Sequence, residues 1–206
     1  MNGHATDDAS RRIHLLTERL ILRAFTRADV DLLFALERDP EVMRYLNGGI
    51  PTPREVITHN ILPDFLKSYA RRDGYGVWAA EERATGEVIG WFGFQPTDDA
   101  RPGEVALGYR LRRSAWGNGY ATEGARALIR QGFTELGAQR IIARTYQDNL
   151  ASRRVLEKTG LRLTRHYRLA PDDLAAEADT YVPGDEVWDG DDVVYSLTRA
   201  EWEREA

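Results

Sequence analysis

The sequence predicts a single α/β domain: a mixed sheet of about six to seven strands flanked by helices. Three observations carry that expectation. Two apolar runs, residues 75–81 and 87–95, are joined by the turn-forming stretch Arg83-Ala84-Thr85-Gly86, the mark of a hairpin. A third run, Glu104–Leu111, leads through a glycine-bearing turn into a pattern in which Ala125, Leu128, Ile129, Phe133 and Leu136 recur at helical spacing. Beyond it, strand-like and helix-like stretches keep alternating as far as residue 197. At 206 residues, one domain with a substantial buried core is the default.

Residues 1–12 are polar and lack the apolar centre of a signal peptide, so they read as a disordered N-terminal arm ahead of a domain over 13–206. Residues 19–25 alternate as a first strand. Thr26-Arg27-Ala28-Asp29 has the form of a capping box with Asp in place of Glu, opening a helix through Arg38 that buries Val30, Leu33 and Phe34. Asp39-Pro40 ends it. After the loop Asn47-Gly48-Gly49, Thr52-Pro53-Arg54-Glu55 sets a cap, a first-turn proline and a capping-box glutamate in order. Pro63 has no N–H to give and is expected to interrupt that helix.

Further on, a helix over 122–136 closes at Gly137, and Arg140–Tyr146 reads as a strand. A helix over 152–159 closes at Gly160, and strands follow over 161–169 and 193–197. Residues 171–192 crowd nine acidic side chains, from Asp172 to Asp192, into a loop-like stretch. It is either a solvated connection or an acidic wall suited to a cationic ligand.

Composition excludes several functions. A net charge of −5 argues against general nucleic-acid binding, which needs a basic face. No apolar run approaches the ~20 residues that cross a bilayer, so no membrane association is expected and the cytoplasm is the default location. The chain has no cysteine, which excludes disulfides, thiolate metal sites and a cysteine nucleophile. His4, His14, His59 and His166 show no metal-ligand spacing.

The chemistry concentrates between Leu111 and Gly124. A strand passes through Arg112, Arg113, Trp116, Gly117, Asn118, Gly119, Tyr120, Ala121 and Thr122 into a helix start. First-turn N–H groups carry a partial positive charge and form a phosphate site. Gly117 and Gly119 let the backbone approach a ligand, Ala121 keeps the next turn small, and Arg112 and Arg113 can add charge-assisted bonds. An ordinary strand–loop–helix connection would look much the same. The phosphate loop of nucleotide-binding enzymes is absent, and the third glycine of a dinucleotide fingerprint would fall at Thr122.

Trp116-Gly-Asn-Gly-Tyr-Ala-Thr-Glu resembles the pyrophosphate loop of the GNAT acetyltransferase superfamily, and most closely the branch of the bacterial ribosomal-protein N-terminal acetyltransferases. Asn149-Leu-Ala-Ser152-Arg-Arg-Val-Leu-Glu-Lys158-Thr-Gly160-Leu161 is similar to a second signature of that branch. The opening Leu16-Thr-Glu-Arg-Leu-Ile-Leu-Arg23 and the run Asp39-Pro40-Glu41-Val42-Met43 complete the resemblance in order. It implies a single GNAT domain whose central strands splay apart, and direct transfer of acetyl from acetyl-CoA to a primary amine.

The resemblance also implies roles. Backbone N–H groups around Gly117 to Thr122 hold the pyrophosphate, within a cofactor-binding set of Leu111, Arg112, Trp116 to Thr122, Asn149 and Ser152, and backbone N–H groups near Tyr109 to Leu111 polarise the thioester. Asn149 bonds the pantetheine arm, though an asparagine before a helix is equally a cap. The tyrosine that many members place seven residues later is here Leu156, which leaves Ser152 as the candidate for the sulfur, against a simple helix-start hydroxyl. Related enzymes carry a glutamate at the position of Ala106; Glu104, on the same strand face, is the candidate base through a water. The acceptor is a peptide N-terminus or a small cationic amine such as an aminoglycoside. A CoA-binding regulatory module without turnover is the rival, and a homodimer is compatible with either.

Overall fold

The computed structural model describes residues 12–71, 73–96, 102–168 and 191–205. The predicted N-terminal arm (except Arg12), the last residue of the strand expected over 161–169, and residues 171–190 of the acidic stretch lie outside them. Strands β1 (Ile13–Leu16), β2 (Leu20–Ala24), β3 (Gly76–Glu82), β4 (Val88–Pro96), β5 (Glu104–Leu111), β6 (Arg140–Tyr146), β7 (Arg162–Tyr167) and β8 (Asp192–Thr198) form one eight-stranded sheet, ordered β1-β2-β3-β4-β5-β6-β8-β7. The strand beyond the expected number is β1. Its four residues are too few to show a period, and register against β2, with a bulge between Ile13 and Leu15, defines it.

The Thr26–Asp29 capping box is present, with Thr26 N–H donating to Asp29 at 2.7 Å, but it opens a 3-10 turn before helix α1 (Val30–Glu37). The same Asp29 grips Arg23 through two hydrogen bonds of 3.0 and 2.9 Å, and Arg23 reaches Glu81 at 3.1 Å, so a buried ion triad ties β2, β3 and the α1 entrance together. Helix α2 (Pro40–Asn47) starts on Asp39, whose side chain accepts from Glu41 N–H at 3.0 Å. Pro63 does not break the following helix. Helix α3 (Arg54–Val56) runs through a π turn (Ile57–Ile61) directly into α4 (Leu62–Arg71). The wider turn lies just ahead of the proline, which needs room where it cannot donate to the preceding turn.

The sheet buries both faces. On one, α5 (Tyr120–Thr134), α6 (Leu150–Lys158) and α7 (Arg199–Glu205) cover Leu22, Trp78, Phe92, Phe94 and Leu107. Leu128 and Phe133 of α5 are fully buried there, each contributing ~1.5–3 kcal/mol. Close approach is what α5 requires of its glycines: a Cβ on Gly124 would stand 2.3 Å from the Phe92 ring, and one on Gly132 2.5 Å from Phe94. On the other face, α1, the π turn and α4 pack Leu33, Ile57, Ile61 and Leu62 against Phe25, Val77 and Ala79. Among the described residues, no helix is long and apolar enough to cross a membrane.

One junction sets the rest of the architecture. Every neighbouring pair of strands is antiparallel except β5 and β6. Those two run parallel and pair only at Glu104–Arg140, Val105–Ile141 and Ala106–Ile142. Past that point β5 continues to Leu111 on β4, and β6 to Tyr146 on β8, with no ladder between them. The sheet is therefore open at its centre, as the resemblance implied.

Candidate active site

The phosphate loop grows out of the end of β5. Arg112 N–H donates to Ile89 O at 2.8 Å, a 3-10 turn covers Arg113–Ala115, and Trp116 Nε1 donates back to Leu111 O at 2.7 Å. Gly117 and Gly119 follow with φ of +76° and +82°, in the left-handed region. Within the protein alone the space around them is open. A Cβ on Gly117 meets nothing within 4 Å, and one on Gly119 only Arg19 Nη2 at 3.5 Å. Their dihedrals, rather than crowding by the chain, demand glycine here.

Helix α5 begins at Tyr120, earlier than the expected 122, with Gly119 as its N-cap. Glycine offers no oxygen, so the first turn has no side-chain cap. Its N–H groups and the positive end of a 15-residue helix thus face outward, which fits a pyrophosphate. A brace holds the loop from behind. Glu123 accepts from Thr17 Oγ1 at 2.6 Å, Arg19 N–H at 2.8 Å and Arg19 Nε at 2.7 Å, while Arg19 Nη1 donates to Asn118 O at 2.9 Å. These bonds lower the Glu123 pKa against the opposing effect of its burial, the larger single cause. Asn118 turns its own amide onto the carbonyl of Trp116 at 3.3 Å.

The two arginines at the loop's mouth are engaged elsewhere. Arg112 Nη2 donates to Glu87 at 2.5 Å, and Arg113 Nε lies 3.7 Å from Asp39. Both face carboxylates that the linear pattern could not reveal.

Asn149 and Ser152 stand together at the start of α6, beside the open end of β6. Asn149 Oδ1 accepts the Ser152 N–H at 3.1 Å, so the asparagine does cap its helix. Leu156, where a tyrosine was missing, is 1% exposed and belongs to the core. Glu104 is set apart from these residues. It stands at the closed beginning of β5, in register with Arg140, whose Nε is 3.5 Å away.

Two features were not found in the sequence. Tyr109, known there only for its backbone, sends its hydroxyl across the open junction to 3.0 Å from Ser152 Oγ. Burial pushes its phenol up to about 12. Period-2 alternation along Val105, Leu107, Tyr109 and Leu111 was the signal available for its direction. On the opposite face, Arg110 donates to the buried Glu37 at 2.6 Å and lies over the Trp91 ring, 5.2 Å from its centre. Among the described residues no group of three or more histidines and carboxylates could hold a metal ion.

Comparison with known proteins agrees with this geometry. The model of an acetyltransferase (GNAT) domain matches residues 19–162. An Aspergillus fumigatus protein named FsC-acetyl coenzyme A-N(2)-transacetylase is 34% identical over 198 residues, covering 92% of this chain and 78% of that protein. An N-acetyltransferase of Bacillus licheniformis, p20, is 35% identical over 164 residues, 76% of this chain and 88% of that one. Among solved structures, a GNAT-family acetyltransferase from Bacillus anthracis superposes with a TM-score of 0.71 at 23% identity, covering 91% and 99% of the two chains. RimL, a ribosomal L7/L12 alpha-N-protein acetyltransferase solved with coenzyme A, gives 0.70 at 20%, covering 91% and 98%, a likeness of fold. The open central junction, the uncapped helix start behind its loop and these matches together make the chain a member of the GNAT acetyltransferase family, with acetyl-CoA as its cosubstrate.

Proposed function

We propose that this acetyltransferase acts on an amine of low pKa, either a protein N-terminal α-amine or a small amine, and that it works in the cytoplasm. In this reading residues 111–122 and Asn149 hold CoA, Ser152 meets its sulfur, and Glu104 serves as a base through water. The observation that carries the choice of amine is the state of the carboxylates on and against β5. Glu104 is paired with Arg140 and Glu37 with Arg110, so each carboxylate already faces a guanidinium. An α-amine of pKa near 7.7–8.0 costs about 1 kcal/mol to deprotonate at pH 7, against roughly 4–5 kcal/mol for a lysine near 10.4. A weak base suits the first.

The resemblance of the Asn149–Leu161 stretch and the tryptophan-led loop to the ribosomal-protein N-terminal branch supports a peptide acceptor. The Aspergillus relative, named an N(2)-transacetylase, supports transfer to a nitrogen and leaves a small amine, of aminoglycoside type among others, beside the peptide. Acetylation of a mixed panel (free-N-terminus peptides, blocked lysine peptides, polyamines, aminoglycosides), read by mass spectrometry, tests the proposal. The rate on the preferred acceptor is expected to rise with pH up to the amine's pKa. Faster acetylation of a blocked lysine peptide than of its free-N-terminus counterpart would sink it.

A further inference from the structure

Tyr109 stands three residues beyond Ala106, the last β5 residue in the ladder to β6, and faces the helices α5 and α6. Its ring leans on Phe92 with centroids 6.0 Å apart. Its hydroxyl ends at the first turn of α6, 3.0 Å from Ser152 Oγ and 3.2 Å from Ser152 O. The Ser152 N–H is already given to Asn149 at 3.1 Å. The phenol donates to Ser152 O, and its one proton can bridge Ser152 Oγ as well in a three-centred bond; between the two hydroxyls the direction follows from acidity. A phenol, near 10 when free, is a far stronger donor than a hydroxyl of water-like acidity, near 15.7. Raised to about 12 by burial, Tyr109 stays protonated throughout the working range. A serine that accepts from the phenol has its own proton to send elsewhere. Beside it lie the unpaired part of the junction and the positive end of α6, both suited to a developing anion.

We propose that Tyr109 is a positioning residue for the thioester sulfur: it donates to Ser152 Oγ and so directs the serine proton into the open junction. The inference rests on the reading that Ser152 meets the sulfur. It also accounts for Leu156. The hydroxyl that the resemblance expects on α6 comes instead from β5, and reaches the same helix one turn earlier.

The absence of cysteine makes the test direct, because the thiol of bound CoA is the sole thiol in the complex. Its ionisation can be followed by thiolate ultraviolet absorbance between pH 6 and 10, with the complex of sulfur-free CoA as blank. Donors to the charged form favour it, so the bound thiol of the unaltered protein is expected to titrate about one unit below free CoA. Tyr109→Phe should return the titration at least halfway, and Ser152→Ala further still. A ring-fluorinated tyrosine at 109, a stronger donor, should lower it beyond the original. CoA affinity at pH 6, by calorimetry, should stay within about twofold in the two Tyr109 variants. A tyrosine that only fills space predicts no shift in either direction. An unchanged titration in Tyr109→Phe, or in the fluorotyrosine protein should the phenylalanine variant fail to fold, overturns the proposal. A bound thiol that titrates like free CoA in the unaltered protein overturns it together with the Ser152 contact. No amine enters the experiment, so its result is separate from the choice of acceptor.

Discussion

Replacing Gly119 with alanine separates the two demands that a phosphate loop makes on its backbone. Gly119 sits at φ +82° and ψ 1°, and an added Cβ would make only an ordinary 3.5 Å contact with Arg19 Nη2. Steric crowding therefore costs little, and the penalty is that of a left-handed residue with a Cβ, ~1–2 kcal/mol. In a chain of this length that lowers Tm by ~2–8 °C. If the loop instead relaxes to a negative φ, the first N–H groups of α5 turn away, and each charge-assisted bond lost weakens CoA by about tenfold or more. Gly86 is a matched control. It lies in the β3–β4 hairpin at φ +71° with nothing within 4 Å of its Cβ, so Gly86→Ala should lose the same stability and leave CoA alone. Thermal melts and calorimetry with CoA on both variants decide the matter. A Gly119→Ala protein with unaltered Tm and unaltered CoA affinity would refute the reasoning.

Two further outcomes follow from the core. His14 stacks on Trp78 at 3.9 Å with its Nε2 buried and unpartnered, and burial chiefly pushes its pKa down to about 4, with Arg12 adding to the fall and Gln131 and Glu135 opposing it. A folded pKa below the unfolded value of 6.5 means full stability above 6.5, lost as pH falls towards 4. Allowing for partial exposure, denaturant titrations should show the unaltered protein losing ~2 kcal/mol more than His14→Leu across that window, and parallel losses would count against it. Leu156→Tyr, which would restore a hydroxyl at the position typical of the family, should overpack the core and cost ~1–3 kcal/mol without raising turnover, as a melt and a rate assay would show.

Much of this architecture was readable because local chemistry dictated it. The Arg83–Gly86 turn, the Thr26–Asp29 capping box, the cap at Asn149 and the stripe on α5 each act within a few residues, and each appears where its pattern placed it. Asp39-Pro40, which reads as the end of one helix, also begins the unforeseen α2. Three of the misses are matters of distance along the chain. Arg112 looks available beside the loop because Glu87, its partner, lies 25 positions away. Glu104 shares a strand face with Ala106, yet its pairing with Arg140 depends on the register of a parallel neighbour that no local period encodes. The Tyr109 hydroxyl meets Ser152 across 43 positions, and only the opening of the sheet brings them together. Pro63 fails in the other direction: a rule for regular helices does not foresee the π turn ahead of it.

The three residue pairs between β5 and β6 have a mechanical consequence. The molecule is two antiparallel blocks, β1 to β5 and β6 to β8, whose main chains are stitched together along a seam three rungs long. An extended cosubstrate lying along the unstitched length would add rungs where the chain supplies none. Amide exchange offers the measure: protons on the seam-facing edges of residues 107–111 and 143–146 should slow most when CoA binds, because the ligand completes the weave that the polypeptide leaves unfinished.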